Sequence, residues 1–338
     1  MARTHHDPPP SSRDGTAGTP DAVPAAALIV NTHSRRGRHH YARAKRLLAR
    51  RRVRVDASYP MRDPGRLPEA VRHALTAGVR LIIVGGGDGT LSAVVDELAY
   101  RDAVLGILPL GTANSFARTL DIPLEIDRAV EVIAGGETAG VDLGRIGDDY
   151  FANTAALGLA ATLARSRLTG LKHYFGAASY PLAGVVKFLG HRSFRCTLSH
   201  HGRRTSYDAL DVLIANGRYQ GGALVAPDAS VASRALVVRI VKGPAKRNLI
   251  WAWALRAAGR APGARLVETV HAASVTIETE PPLPVSIDGE AVARTPVRAS
   301  VAPDALKVRV PRGFAARHAP PPGHERNAGD RGSSNGAS

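Results

Sequence analysis

With 338 residues the chain is long enough for two domains that each bury a core, and its formal net charge of +16 calls for an anionic partner: nucleic acid, a phosphorylated substrate or an acidic membrane surface. A single cysteine, Cys196, excludes an intramolecular disulfide framework and suits a reducing compartment. No apolar run reaches the length of a membrane span and the N-terminus lacks the apolar segment of a secretory signal, so the expectation is a cytoplasmic protein whose membrane contact is peripheral.

Residues 1–22 are rich in Pro, Ser, Thr and Gly and read as a disordered tail. From 23 to 140 apolar strands alternate with helical patterns. A strand over 26–30 leads into a polar loop, where Asn31, Ser34, Arg35 and Arg36 follow one another. The pattern over 41–51 predicts a helix. Its Arg43, Lys45, Arg46, Arg50, Arg51 and Arg52 read either as a solvated face or as a binding patch. A second strand is expected over 53–58, a helix over 68–77 opened by Pro68 and closed by Gly78, and a third, nearly all apolar strand over 79–84. A helix over 90–98, a strand over 104–108 and a helix start at 114–119 complete the series. Alternating strands and helices imply a Rossmann-like parallel sheet covered on both faces, with ligands at the carboxyl ends of its strands.

From 141 to 312 the texture changes to short β-branched strands, over 141–146, 150–154, 211–215, 236–241, 274–279, 297–301 and 306–310, as in an antiparallel β-sandwich or barrel. Cys196 sits in an alternating run and reads as a buried strand thiol, not a nucleophile. Helices are expected over 177–189 and 247–258. The second carries Trp251 and Trp253, which point in divergent directions and serve either a membrane interface or the core. Residues 313–338 read as a second disordered tail.

The strongest chemical signal is Gly85-Gly86-Gly87-Asp88-Gly89-Thr90, between a buried strand and a helix. Glycines let backbone N–H groups approach a phosphate at a helix N-terminus, and a carboxylate there calls for a cation or a hydroxyl proton beside it. The plainer alternative is a turn in which Asp88 caps the helix. A second loop, with Gly111, Thr112 and Asn114, follows the next strand and opens on the same crevice, or is an ordinary capped helix start. Near the end, Asp288-Gly289-Glu290 has the composition of a hairpin turn.

Taken in order, these segments closely resemble the bacterial diacylglycerol kinase family, relatives of sphingosine and ceramide kinases, over about residues 24 to 312. Phe151-Ala152-Asn153, Gly176 with Tyr180, Ala215-Asn216-Gly217 with Gly221-Gly222, and Thr295-Pro296 through Pro303, Leu306 and Pro311 extend the match. The resemblance implies MgATP in an interdomain crevice and a lipid alcohol, drawn from an anionic membrane surface, approaching from the β-rich side. It implies that Asn31, Ser58, Gly86, Gly87, Asp88, Gly89, Thr90, Leu91, Ser92, Gly111, Thr112 and Asn114 bind the nucleotide. Asp88 organises the magnesium, Glu290 acts as general base and Asp288 stands beside it. Four departures stand out. The family's first loop, Asn-Pro-x-Ser-Gly, is Asn31-Thr32-His33-Ser34-Arg35 here. The family's Asn-Glu after Gly-Asp-Gly-Thr is Ser92-Ala93 here, its Asn-Asp-Phe-Ala is Asn114-Ser115-Phe116-Ala117, and its Asp-Gly at a second, structural magnesium is Ser233-Arg234, so that second metal is not expected. Rival readings are an NAD or sugar kinase sharing the glycine loop, and a non-catalytic nucleotide- or lipid-binding protein. A nucleic-acid binder is not expected, because the chain shows no such module.

Overall fold

The computed structural model describes residues 26–32, 35–159, 191–257, 262–287 and 290–318. Both expected tails, the helix over 177–189 with Gly176 and Tyr180, and Asp288 therefore lie outside or largely outside the described residues.

Strands β1 (Ala26–Asn31), β2 (Val55–Met61), β3 (Leu81–Gly86) and β4 (Val104–Pro109) form a parallel sheet in the order β2-β1-β3-β4. β1 is buried up to Asn31 and β3 throughout, as strands covered on both faces are. Helix α1 (Arg35–Arg50) packs with α5 (Ile126–Gly135), and α2 (Leu67–Thr76) packs with α3 (Asp88–Leu98); a short α4 (Ser115–Thr119) follows β4. Of the basic residues over 43–52, Lys45, Arg46, Arg50 and Arg52 form a solvated face, while Arg43 pairs with Asp127 and Arg51 with Glu131 on α5. Exposed pairs of this kind add at most about 1 kcal/mol each.

The second half is a sandwich of antiparallel strands. One layer holds β7 (Thr154–Gly158), the second half of β9 (Arg203–Ala215), β12 (Leu236–Lys242), β13 (Val267–Ala272), β15 (Pro284–Ile287) and β16 (Glu290–Arg294). The other holds the first half of β9, β8 (Phe194–His200), β14 (Ser274–Glu280), β17 (Val297–Val310), β5 (Glu137–Ile146) and β6 (Asp149–Phe151). Leu157, Val212 and Ile240 of the first layer meet Cys196, Leu198 and Ile277 of the second in one core. Cys196 is fully buried there, and burial pushes its thiol up to about 12, which keeps it unreactive. A two-strand ribbon, β10 (Tyr219–Gln220) with β11 (Ala223–Leu224), and helix α6 (Arg247–Ala257) complete this half.

The halves share strands. Two expected strands, 297–301 and 306–310, are one long bulged strand, β17, which pairs with β14 at its start and in parallel with Val104 and Leu105 of β4 near its end. Its partner β5 likewise runs through both halves, so the expected boundary at 140/141 falls inside a strand. The expected tail from 313 also begins too early: α7 (Phe314–His318) is helical, with Phe314 fully buried.

Candidate active site

The crevice opens where β1 and β3 end, as the parallel topology requires. It is a cavity of about 520 Å³, within the usual size of a small-ligand site. One wall carries Asn31, Gly87, Gly89, Thr90 and Ser92, with Pro64, Gly65 and Pro68 beside them; the facing wall carries Asp149, Tyr150, Ile287, Glu290 and Val292.

The glycine loop is built by close packing. A Cβ on Gly86 would lie 2.3 Å from Thr90 Oγ1, and one on Gly111 would lie 2.4 Å from the Gly87 Cα. The two glycine-bearing loops thus approach backbone to backbone, closely enough to bar a side chain at Gly111 and to leave little room for one at Gly87. Thr90 is buried, and its Oγ1 accepts a hydrogen bond from Asn31 Nδ2 at 3.4 Å, tying the end of β1 to the first turn of α3. Asp88 opens α3, but its Oδ1 accepts from the Phe116 N–H at 3.2 Å and so caps the neighbouring α4. Asp88 therefore does not cap α3 as the turn reading expects, because Gly87 is the N-cap there and the carboxylate is turned to α4.

Several expected nucleotide residues do not line the crevice. Ser58 stands in mid-strand opposite Leu28, because β2 continues through Tyr59 and Pro60 to Met61, and an edge strand tolerates the proline. Leu91 points into the hydrophobic core. Asn114, at φ 49°, turns its amide back on Gly111, accepting from its N–H and donating to its carbonyl, both at 2.9 Å. Thr112 is exposed and, with Gly86, Gly111 and Asp88, stands behind or beside the lining residues. Asn31, Gly87, Gly89, Thr90, Ser92 and Glu290 do converge.

Asp96 and Asp149 were not anticipated. Asp88, Ser92 and Asp96 recur every four residues on α3 and so share a face, a signal present in the sequence. Asp96 Oδ1 accepts from the Tyr150 N–H at 2.9 Å, joining α3 to β6. Asp149 has no such periodic signal, since it opens the short strand β6 directly after the Gly147-Asp148 turn. Among the described residues the charged lining is Asp96, Asp149 and Glu290, with no Lys or Arg, in a chain of net charge +16.

Residues 25–146 match the diacylglycerol kinase catalytic domain, and residues 154–310 match the YegS C-terminal NAD kinase beta sandwich-like domain. A Pseudomonas aeruginosa protein named "probable lipid kinase YegS-like" is 32% identical over 263 residues, which cover 77% of this chain and 86% of the relative. The chain belongs to the YegS-like lipid kinase family. A Yersinia enterocolitica protein of the same name is 31% identical over 261 residues, 74% of this chain and 85% of its own. In fold, a diacylglycerol kinase crystal structure from Bacillus anthracis aligns with a TM-score of 0.66 at 21% identity, over 85% of this chain and 96% of that one.

The lesser segments of the family pattern meet at the seam between the halves. Thr119 of α4 donates to Asn153 Oδ1 at 2.9 Å and accepts from the Arg218 N–H at 3.2 Å. Asn216 Nδ2 donates to the carbonyls of Asp142 (2.9 Å) and Ala152 (2.8 Å). Ser115, which replaces the family carboxylate, accepts from the Gly222 N–H at 3.1 Å. At Ser233-Arg234 the donor set does not fit a magnesium ion. Ser233 Oγ lies within hydrogen-bond distance of the carbonyls of Ser230 (2.8 Å) and Ala235 (3.2 Å). The Arg234 guanidinium lies on Asp142 at 3.0 Å and also pairs with Asp304. Burial pushes the Asp142 carboxyl above its usual range, while the Asp304 and Arg234 N–H groups and the guanidinium pull it down.

Proposed function

We propose that the protein transfers the γ-phosphoryl group of MgATP to the hydroxyl of a lipid alcohol at an anionic membrane surface. The observation that carries this reading is the single crevice that sets Gly87, Gly89, Thr90 and Ser92 opposite Glu290. The N-terminal end of α3 presents its positive dipole end and backbone N–H groups to phosphate oxygens. Thr90, held by Asn31, fixes the loop that presents them.

Three lining carboxylates would repel a triphosphate, so the donor set suits a phosphate ligand only when a divalent cation accompanies it. Among the described residues no cluster of three or more acidic, His or Cys side chains holds a metal alone. Magnesium needs no such cluster, since it takes one or two carboxylates together with substrate phosphates. Asp88, between two lining glycines, and Asp96 and Asp149 on the walls are the carboxylates at hand. When bound, the ion neutralises charge on the phosphates.

Glu290 takes the proton of the lipid hydroxyl as its oxygen forms a bond to the γ-phosphorus; the bond from that phosphorus to the β–γ bridging oxygen breaks and ADP leaves. Ile287 and Val292, beside Glu290, give the acceptor an apolar surround.

The decisive assay incubates the protein with γ-labelled ATP, magnesium and dispersed diacylglycerol, monoacylglycerol, sphingosine, ceramide, undecaprenol or phosphatidylglycerol. NAD is included because the second half resembles an NAD kinase domain. A labelled lipid product is expected. Label in NAD alone, or in nothing, overturns the reading.

A further inference from the structure

Helix α6 is apolar on both sides. Leu249 and Ala252 are buried against Leu159, Leu210, Val241 and Val267. On the opposite side Arg247, Ile250, Trp251 and Ala254, at the i, i+3, i+4, i+7 spacing of one helix face, are all exposed. Ile250 is 52% and Trp251 61% exposed, against a described surface with only two other large exposed hydrophobics, Tyr100 and Leu224. Along the chain on either side of this stripe the charge has one sign. Residues 242–265 contain Lys242, Lys246, Arg247, Arg256, Arg260 and Arg265 and no acidic residue. The nearest acid along the chain after them, Glu268, is paired with Lys242 at 2.9 Å.

We propose that this face of α6 seats the protein on an anionic lipid bilayer. Trp251 and Ile250 enter the boundary between headgroups and acyl chains, and Arg247 with its basic neighbours meets the acidic headgroups. No described helix is long and apolar enough to cross a membrane, so the contact lies in the plane of the surface. The choice of a lipid surface as partner rests on the lipid-kinase reading, and the pairing of chemistry supports it. A nucleic-acid backbone would use the positive charge but leaves an exposed Trp-Ile pair without purpose.

The position is also suitable. α6 follows β12 at the end of the layer where Lys242 pairs with Ala209 and Gly158 with Asp211. Glu290 pairs with Ile287, which faces Ala155 at the other end of β7. Along the direction of β7, the end that carries α6 and the position beside the proposed base are about three strand residues apart, roughly 10 Å.

The test is binding, without nucleotide, to sucrose-loaded vesicles of phosphatidylcholine alone or mixed with phosphatidylglycerol. The only two tryptophans, Trp251 and Trp253, both lie on α6, so tryptophan emission reports this helix directly. Expected results are sedimentation with the mixed vesicles only, a blue shift of the emission, and a loss of at least about tenfold in affinity for the Ile250→Ser, Trp251→Ser double variant. Arg247→Ala should lose about fivefold and lower the salt dependence. Thermal melting of each variant establishes that it is folded. Unchanged vesicle affinity in a folded double variant overturns the proposal, as does binding to duplex DNA in preference to the mixed vesicles. Because no phosphoryl transfer is measured, a failed kinase assay leaves this result interpretable on its own.

Discussion

At the scale of single residues, the glycine loop serves two needs at once. Gly87 and Gly111 are where two loops touch, and Gly111 is required by packing whatever ligand binds. Gly111→Ala places a Cβ against the Gly87 backbone, which cannot move aside as a side chain would. We expect a loss of about 1–3 kcal/mol in chemical denaturation together with loss of turnover. Gly135→Ala, where an added Cβ meets nothing within 4 Å, should be neutral or slightly stabilising in the same assay. Glu290 tests chemistry instead of packing. Glu290→Gln keeps the size of an exposed side chain but cannot take a proton, so kcat should fall by about 10²–10⁴-fold with little change in the KM for ATP. A near-normal kcat removes Glu290 as the base. A collapse of ATP affinity reassigns it to nucleotide or metal binding. The sequence made the glycine loop legible because strand, turn and helix are all local. It did not reveal that Asp88 caps α4, or that Asn114 folds back on Gly111, because those partners are set by how two loops meet.

At the scale of elements, the parallel half was legible from alternation alone. Helix α5 lies outside the expected elements, although it buries Ile126, Ala129, Val130 and Ile133, a regular i, i+3, i+4, i+7 stripe behind a short loop. The shared strand β17 was read as two, because Pro303-Asp304-Ala305 looks like a turn and is a bulge. At the C-terminus a compositional argument for disorder gave way to one aromatic residue. Phe314 is buried, its ring stacks on His318 at 4.1 Å, and Glu137 accepts the N–H groups of Ala315 (3.0 Å) and Gly313 (3.1 Å). Phe314→Ala should therefore cost about 3–5 kcal/mol, measurable by denaturant titration. The Ala315 N–H first, then that of Gly313, holds the Glu137 carboxyl below its usual range. A depressed folded-state value means that its contribution is complete above the unfolded value of about 4.3 and is lost as pH falls through the lower, folded one. The melting temperature of the parent should thus fall more steeply on acidification below about pH 4 than that of Glu137→Gln. Parallel curves for the two proteins would show that this clip does not hold α7.

At the scale of the whole molecule, the crevice exists only because two halves meet at a fixed seam, and the seam is held by ions and hydrogen bonds of the chain itself. Asp142 is fully buried in β5, takes N–H donors from Arg234 (2.9 Å) and Asp304 (3.0 Å), and faces the Arg234 guanidinium. Ser233 meanwhile sits within hydrogen-bond distance of the carbonyls of Ser230 and Ala235. A positive side chain and a hydroxyl thus occupy a place that, in the resembling family pattern, an Asp-Gly pair would give to a metal. This organisation predicts that melting of the parent protein is indifferent to magnesium and to EDTA. It also predicts how to reverse the arrangement. Arg234→Ala removes one donor from a buried carboxylate, half-exposed on its own side, and should cost roughly 1–3 kcal/mol. Ser233→Asp with Arg234→Gly goes further: it keeps the backbone N–H to Asp142, suits the left-handed φ of 58° at position 234, and places a second carboxylate beside two carbonyl oxygens. Without a cation these like charges repel, so the double variant should melt several degrees below the parent in EDTA and regain most of that loss in millimolar magnesium. Calcium should restore it less well, because that ion requires more ligands at longer distances. A double variant whose melting ignores magnesium would mean that the seam rests on its apolar packing and that Arg234 is a surface ion pair with little influence on how the halves meet.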